Sequence, residues 1–344
     1  MDRPPREPGA LVSGRAERIR SFLAQAGWDD VPRRPLAGDA SFRRYERLLL
    51  DGRPMVLMDA PPPQENVRPF MAIARLLAGV GLAVPAIHAA DEEAGLLLLE
   101  DFGDDTYTRL LARGEPERRL YELAVDLLIA LHRAVTVESL TQVPPFDMAR
   151  ALRDVGLLLD WYWPAVRGEP APAKTRAEFE AAWNEVLALW KRVPESLVLF
   201  DYHVDNLMLL RGRSGIDAIG LLDFQDAMRG PRPFDLVSLI DDARRDVPAD
   251  LARDLHRRYL AAFPELDAAA FEAAYAACGA ERHTRILGTF TRLSRRDGKH
   301  GYLAFMPRVW RQLEARLAHP KLASLAQWFQ RHLPASARGV PEVL

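Results

Sequence analysis

The sequence is short of cysteine, of lysine and of long apolar runs. Its 344 residues hold one cysteine, Cys278, so no intrachain disulfide can form and a reducing compartment is expected. No apolar run approaches the roughly twenty residues that a membrane-spanning helix needs. The opening M-D-R-P-P-R-E-P-G carries charge and proline with no apolar segment of a signal peptide behind it, so a soluble, cytoplasmic protein is expected. A formal net charge of −2 leaves no basic excess to attract nucleic acid or an anionic membrane surface. The eight histidines are scattered without metal-ligand spacing, which argues against a zinc site. There is no G-x-x-x-x-G-K-[ST], no G-x-G-x-x-G and no G-x-S-x-G, so Walker ATPases, Rossmann dehydrogenases and serine hydrolases drop out. Lys174, Lys191, Lys299 and Lys321 are the only lysines, and the first 173 residues contain none.

What is present reads as a β-rich front and a helical back. Residues 1–12 read as a loose arm, and Ser13 as the cap of a helix that buries Ile19, Phe22 and Leu23 and closes at Gly27. Phe42–Leu50, the hairpin dipeptide Asp51-Gly52 and Pro54–Met58 predict two paired strands. Phe70, Ile73, Leu76 and Leu77 mark a helix ending near Gly79, and strands follow at 86–90 and 96–100. Beyond Phe102 the period is helical: Leu120, Leu123, Leu127, Leu128 and Leu131 form one stripe, and Phe179, Trp183, Val186, Leu187 and Trp190 another. Leu207–Leu210 and Ala218–Leu222 flank R-G-R-S-G as a hairpin expected in the back lobe. The expected architecture is α+β and bilobal, with an N-terminal lobe over 1–100 and a helical C-terminal lobe over 101–344.

Chemistry concentrates between Leu199 and Asp235. Asp201 follows the apolar run Leu197–Phe200, Asn206 lies five residues on, and Asp223 follows Ile219–Leu222. A carboxylate at the end of a buried strand is costly unless it is bonded or used. An acid, an amide and a second acid in this order suit Mg²⁺-assisted phosphoryl transfer, with one carboxylate as base and two oxygen ligands on the metal. His203 reads as a loop brace, Asp205 as a substrate-hydroxyl contact or a solvent-facing loop acid, Asp226 as a contact to the metal or the substrate, and Asp235 as a helix cap or loop anchor. Trp161, Tyr162 and Trp163 cannot share one helix face, so at least one belongs to the core.

D-Y-H-V-D-N, L-L-D-F-Q-D-A and G-P-R-P-F-D-L together resemble the aminoglycoside phosphotransferase family, which has a protein-kinase-like fold. That family's H-G-D-x-x-x-x-N loop is matched at Asp201 and Asn206 and its following acid at Asp223, with Leu199 and Phe200 replacing the leading His and Gly. The resemblance implies Asp201 as catalytic base and Asn206 and Asp223 as Mg²⁺ ligands. It implies that ATP lies between the lobes, under G-D-A-S-F-R-R-Y (38–45) and against L-L-L-L-E-D-F (96–102). Ser41, Phe42, Arg43, Arg44, Met58, Glu100 and Phe102 are then the candidate nucleotide contacts. A-S-F-R-R-Y, V-L-M-D-A-P-P-P, D-D-A-R-R-D-V and R-D-G-K-H-G-Y-L-A-F-M-P-R-V-W are similar to one branch, the bacterial kinases that phosphorylate the anomeric hydroxyl of N-acetylmuramate and N-acetylglucosamine in peptidoglycan recycling. The implied partner is a small sugar, and a monomer is expected. His203, Asp205, Asp226 and Arg295 are the candidate sugar contacts, with Arg295, Asp297 and Lys299 available to shape the pocket or hold a lactyl carboxylate.

One departure matters. Kinase-like enzymes carry a lysine on the third strand for the α/β-phosphates. Here Met58 stands at that place and no lysine exists elsewhere in the front lobe, so the cation must be an arginine: Arg43, Arg44 or Arg68. Two other readings stay open. One is a kinase for an aminoglycoside, choline or homoserine. The other is a nucleotide-binding pseudokinase, which the missing lysine favours and the intact Asp201/Asn206/Asp223 set opposes.

Overall fold

The computed structural model describes residues 8–36 and 42–343 and divides the chain into two compact units. One comprises Met1–Arg109 with Met208–Asp226, the other Leu110–Leu207 with Ala227–Leu344.

The first unit holds α1 (Pro8–Gln25), β1 (Arg33–Pro35), β2 (Arg44–Leu50), β3 (Arg53–Asp59), α2 (Arg68–Gly79), β4 (Ile87–Asp91) and β5 (Leu96–Glu100). The strands pair antiparallel in the order β1-β2-β3-β5-β4. Asp51 (φ 50°) and Gly52 (φ 76°) both take left-handed backbone, the turn that matches strand twist in a two-residue hairpin. Ile19, Phe22 and Leu23 of α1 pack on Leu48, Met55, Leu57, Leu96 and Leu98. The alternate residues Val56, Met58, Leu97 and Leu99 are buried too, so β3 and β5 read as continuous apolar runs rather than alternating ones. α1 begins at Pro8, so Ser13 lies inside the helix rather than at its start, and residues 1–7 of the expected arm lie outside the described residues.

The hairpin of Leu207–Leu209 and Ile219–Leu221 joins this first unit from Met208 onward, not the helical one where it was expected. Long-range bridges hold it there: Met208 to Thr106, and Gly220 to Ala83. A Cβ on Gly220 would come within 2.6 Å of the Phe102 ring, so that strand needs glycine to pass the ring.

The second unit is mostly helical. It contains α4 (Glu117–Ala134), α5 (Met148–Leu157), α6 (Trp163–Arg167), α7 (Ala173–Leu187), α8 (Phe234–Ile240), α9 (Ala249–Ala261), α10 (Ala268–Asp297), α11 (Met306–Leu317) and α12 (Ala323–His332), after the bridging α3 (Tyr107–Ala112). A wider helical turn, Leu158–Tyr162, links α5 to α6. Tyr162 and Trp163 are buried core, while Trp161 stays partly exposed. Two short strands, β6 (Glu195–Val198) and β7 (Met228–Pro231), pair antiparallel and lead into the loop that carries Asp201. The thirty-residue α10 is the axis of the unit and is capped by the Asp267 carboxylate. Gly288 lets it touch α5 closely, for a Cβ there would lie 2.3 Å from the Leu157 carbonyl carbon.

Candidate active site

The loop after β6 is built around a buried carboxylate. Asp235, in the first turn of α8, accepts hydrogen bonds from the backbone N–H of Leu199 (2.7 Å) and Phe200 (3.0 Å). It anchors the loop, while Pro233 holds the cap position of the helix. Burial pushes the Asp235 carboxyl up to about 7, against the pull of those two donors. Phe200 sits at φ 66°, a conformation that a side chain tolerates only when its surroundings hold it. Ser238 helps by donating to the Phe200 carbonyl (3.2 Å).

The strained residue turns the chain so that Asp201 follows at the loop's bend. The Asp201 carbonyl accepts from the His203 N–H (3.1 Å) and from the Asn206 side-chain amide (2.9 Å). Asn206 thus spends its donor on the loop, and its amide oxygen is the end suited to a cation. His203 is buried; burial and the Arg244 guanidinium at 3.2 Å hold it well below its ordinary range, so it is a neutral acceptor that braces the loop. Arg244 also pairs with Asp205 (3.3 Å). Arg282, buried on α10, gives Nη1 to the Asp241 carbonyl and spreads positive charge toward Asp201 and Asp242.

In the first unit Asp223 follows the hairpin's second strand at φ 56°, again a left-handed residue. Its Oδ1 accepts from the Gln225 amide (2.7 Å) and lies 3.7 Å from the Arg43 Nη1. Arg43 Nε donates to Glu65 Oε2 at 2.9 Å, with both side chains largely enclosed. Burial works against the Arg43 charge, but Glu65, Tyr45 and Asp223 outweigh it and raise its pKa above the ordinary value. Phe224 stacks on Phe70 of α2 with ring centroids 4.8 Å apart, which fixes the turn beside Asp223. Asp226 meets only the edge of this cluster, with Gln225 Nε2 at 3.5 Å.

The remaining candidates divide. Ser41 lies outside the described residues. Phe42 and Arg44 are exposed, and Met58 is buried in β3. Arg68 forms an exposed pair with Glu92 and stands apart from Arg43 and Asp223. Glu100 Oε2 accepts from the Ala86 N–H (3.2 Å), and Phe102 packs on Gly220. Arg295, near the end of α10, is half-buried. The sequence reading missed Glu65: it falls in the irregular P-P-P-Q-E-N stretch, where no periodicity points to a partner.

An antiparallel sheet with one long helix, followed by a helical unit that carries an acid-amide loop, defines a kinase-like α+β protein. The model of the phosphotransferase enzyme family matches residues 32–271, and the chain belongs to that family. It is similar to the N-acetylmuramate/N-acetylglucosamine kinase of Caulobacter vibrioides, at 38% identity over 95% of this chain and 99% of that protein. The kinase of the same name from Pseudomonas aeruginosa is also 38% identical, over 89% of this chain and 90% of that one. Among solved structures, the ADP-bound aminoglycoside phosphotransferase APH(2'')-Ib superposes with a TM-score of 0.57 at 16% identity, over 88% of this chain and 97% of that one.

Proposed function

We propose that the protein is an ATP-dependent kinase that phosphorylates the anomeric C1 hydroxyl of N-acetylmuramate and N-acetylglucosamine, in the salvage of cell-wall sugars. The near full-length likeness to two kinases named for those sugars carries this reading. The site chemistry agrees with it.

In this mechanism Asp201 accepts a hydrogen bond from the attacking hydroxyl and takes its proton as the hydroxyl oxygen bonds to the γ-phosphorus of ATP and the bond from that phosphorus to the β,γ-bridging oxygen breaks, releasing ADP. The Asp235 anchor and the Asn206 and His203 bonds fix the backbone that carries Asp201, which limits the reorganisation the base must make. Arg43, oriented by Glu65, supplies the front-lobe cation that lysine supplies elsewhere, with a fork suited to phosphate oxygens. The donor set fits Mg²⁺: Asn206 offers an amide oxygen and Asp223 a carboxylate, both hard ligands. When bound, the ion would neutralise phosphate charge.

The test is ADP release with MgATP and a panel of N-acetylmuramate, N-acetylglucosamine, glucose, kanamycin, choline and homoserine. Turnover confined to the two N-acetyl sugars, with an acid-labile sugar 1-phosphate as product, is expected. Turnover of another panel member instead would replace the substrate and keep the kinase. Nucleotide binding with no turnover would make the protein a pseudokinase.

A further inference from the structure

One face of α10 carries two arginines whose charge the fold offsets only in part. Arg285 and Arg292 lie seven residues apart, so they share a helix face about two turns, roughly 10 Å, along the axis. Both are half-buried, and each has a buried Nε with no hydrogen-bond partner among the described residues. A half-buried arginine keeps part of its guanidinium in water, and a buried Nε left without an acceptor is stabilised when a ligand supplies one.

The carboxylates nearby do not supply one. Glu281 Oε1 is 3.9 Å from Arg285 Nε, but Glu281 is fully buried, and burial pushes its carboxyl up to about 8. At neutral pH it is mostly protonated and leaves the arginine uncompensated. Asp154 lies within electrostatic reach of Arg292 but accepts two hydrogen bonds from Arg150, at 2.9 and 3.1 Å. Asp297 is likewise held by two bonds from Arg296.

The position of this face gives the missing anion its place. The Arg285 guanidinium carbon stands 5.4 Å from the centroid of the Phe200 ring, and Phe200 immediately precedes Asp201. A group held on Arg285 is therefore beside the loop that presents the base. C1 must face Asp201, and a substituent on C3 of the same ring projects to one side of it.

We propose that Arg285 and Arg292 of α10 form the subsite for a carboxylate-bearing substituent on the sugar, the lactyl group that N-acetylmuramate carries and N-acetylglucosamine lacks. This rests on the sugar-kinase reading above and extends the lactyl contact expected at Arg295, whose buried Nε likewise has no hydrogen-bond partner among the described residues, along α10 to Arg285 beside the loop. Arg285 binds the carboxylate through its fork, and Arg292 adds charge farther along the face.

The test measures kcat and KM for both sugars in the wild type, Arg285→Ala, Arg285→Lys and Arg292→Ala. For Arg285→Ala the ratio of kcat/KM for N-acetylmuramate to that for N-acetylglucosamine is expected to fall ten-fold or more. The change should lie in KM for N-acetylmuramate. Arg292→Ala should move the ratio the same way by less, and Arg285→Lys should recover part of it. An unchanged ratio would overturn the proposal, as would a rise in KM for ATP with either sugar, which would assign the arginines to phosphate. If Arg285→Ala does not fold, Arg292→Ala and Arg285→Lys still read the ratio. If the wild type phosphorylates neither sugar, the functional reading has failed. Calorimetry then decides the subsite: tighter wild-type binding of N-acetylmuramate than of N-acetylglucosamine, lost in the variants, sustains it, and equal or absent binding ends it.

Discussion

Arg43 and Glu65 form an enclosed ion pair at 2.9 Å, joining the residue before β2 to the loop before α2. The same arginine reaches Asp223 at 3.7 Å. On the proposed mechanism, a cation fixed by an acid near the helix and close to Asp223 takes the part that a strand lysine has in other kinases. Here that part falls to a residue at the strand's entrance, with Met58 left as core.

If that pair orients the phosphate cation, its members should affect nucleotide binding unequally. Arg43→Ala is expected to raise KM for ATP by roughly ten- to a hundred-fold, the worth of a charge-assisted hydrogen bond. Glu65→Gln keeps the shape and loses the charge, so it should fall between wild type and Arg43→Ala. Steady-state kinetics with ATP varied at saturating sugar checks this. A KM for ATP unmoved in Arg43→Ala would mean that another group holds the phosphates.

Asp201 lies in the loop that Asp235 of α8 anchors, and variants of the two carboxylates should separate rate from stability. Asp201→Asn is expected to lower kcat about 10²–10⁴-fold with little change in melting temperature. Asp235→Ala orphans two buried N–H groups, each worth roughly 1–3 kcal/mol, and should lower the melting temperature by many degrees. Paired thermal unfolding and kinetics resolve the two. A destabilised Asp201→Asn with normal kcat would exchange the roles.

How much of this could be read in the sequence follows from the range of each interaction. The Asp51-Gly52 turn and the strand at Leu96–Glu100 rest on local chemistry and were legible residue by residue. So were the acid-amide-acid spacing and the role of Asp235 as loop anchor. Features that depend on distant partners were not. The hairpin at Leu207–Leu221 is placed by Thr106 and Ala83, more than a hundred residues away. β7 contains Gly-Pro in a stretch that reads against a strand, yet a two-stranded ladder tolerates proline at its end. Arg285 and Arg292 gave no signal either, because in sequence they are two arginines among many; for Arg285 the distinguishing feature is its place over the Phe200 ring, a contact between residues far apart in sequence.

Glu281 makes the last prediction. Its ordinary pKa is 4.5, and in the folded protein burial raises it to about 8. Below pH 4.5 both folded and unfolded chains hold the proton, so the residue has no effect on stability. Between 4.5 and 8 the unfolded chain releases the proton while the folded one keeps it, so unfolding is increasingly favoured as pH rises. Above 8 the folded state carries the buried charge and the full penalty persists. Glu281→Gln removes this dependence. The buried neutral histidines His132 and His283 contribute equally to both proteins and cancel in the comparison. The melting temperature of the glutamine variant minus that of wild type should therefore grow as pH is raised from 5 to 8.5, reaching on the order of a few kcal/mol of added stability. Equal differences at the two pH values would show that Glu281 is ionised throughout. Arg285 would then have its counter-charge already, and the case for an anion subsite on α10 would rest on the position of Arg285 beside the Phe200 ring and its unpartnered Nε alone.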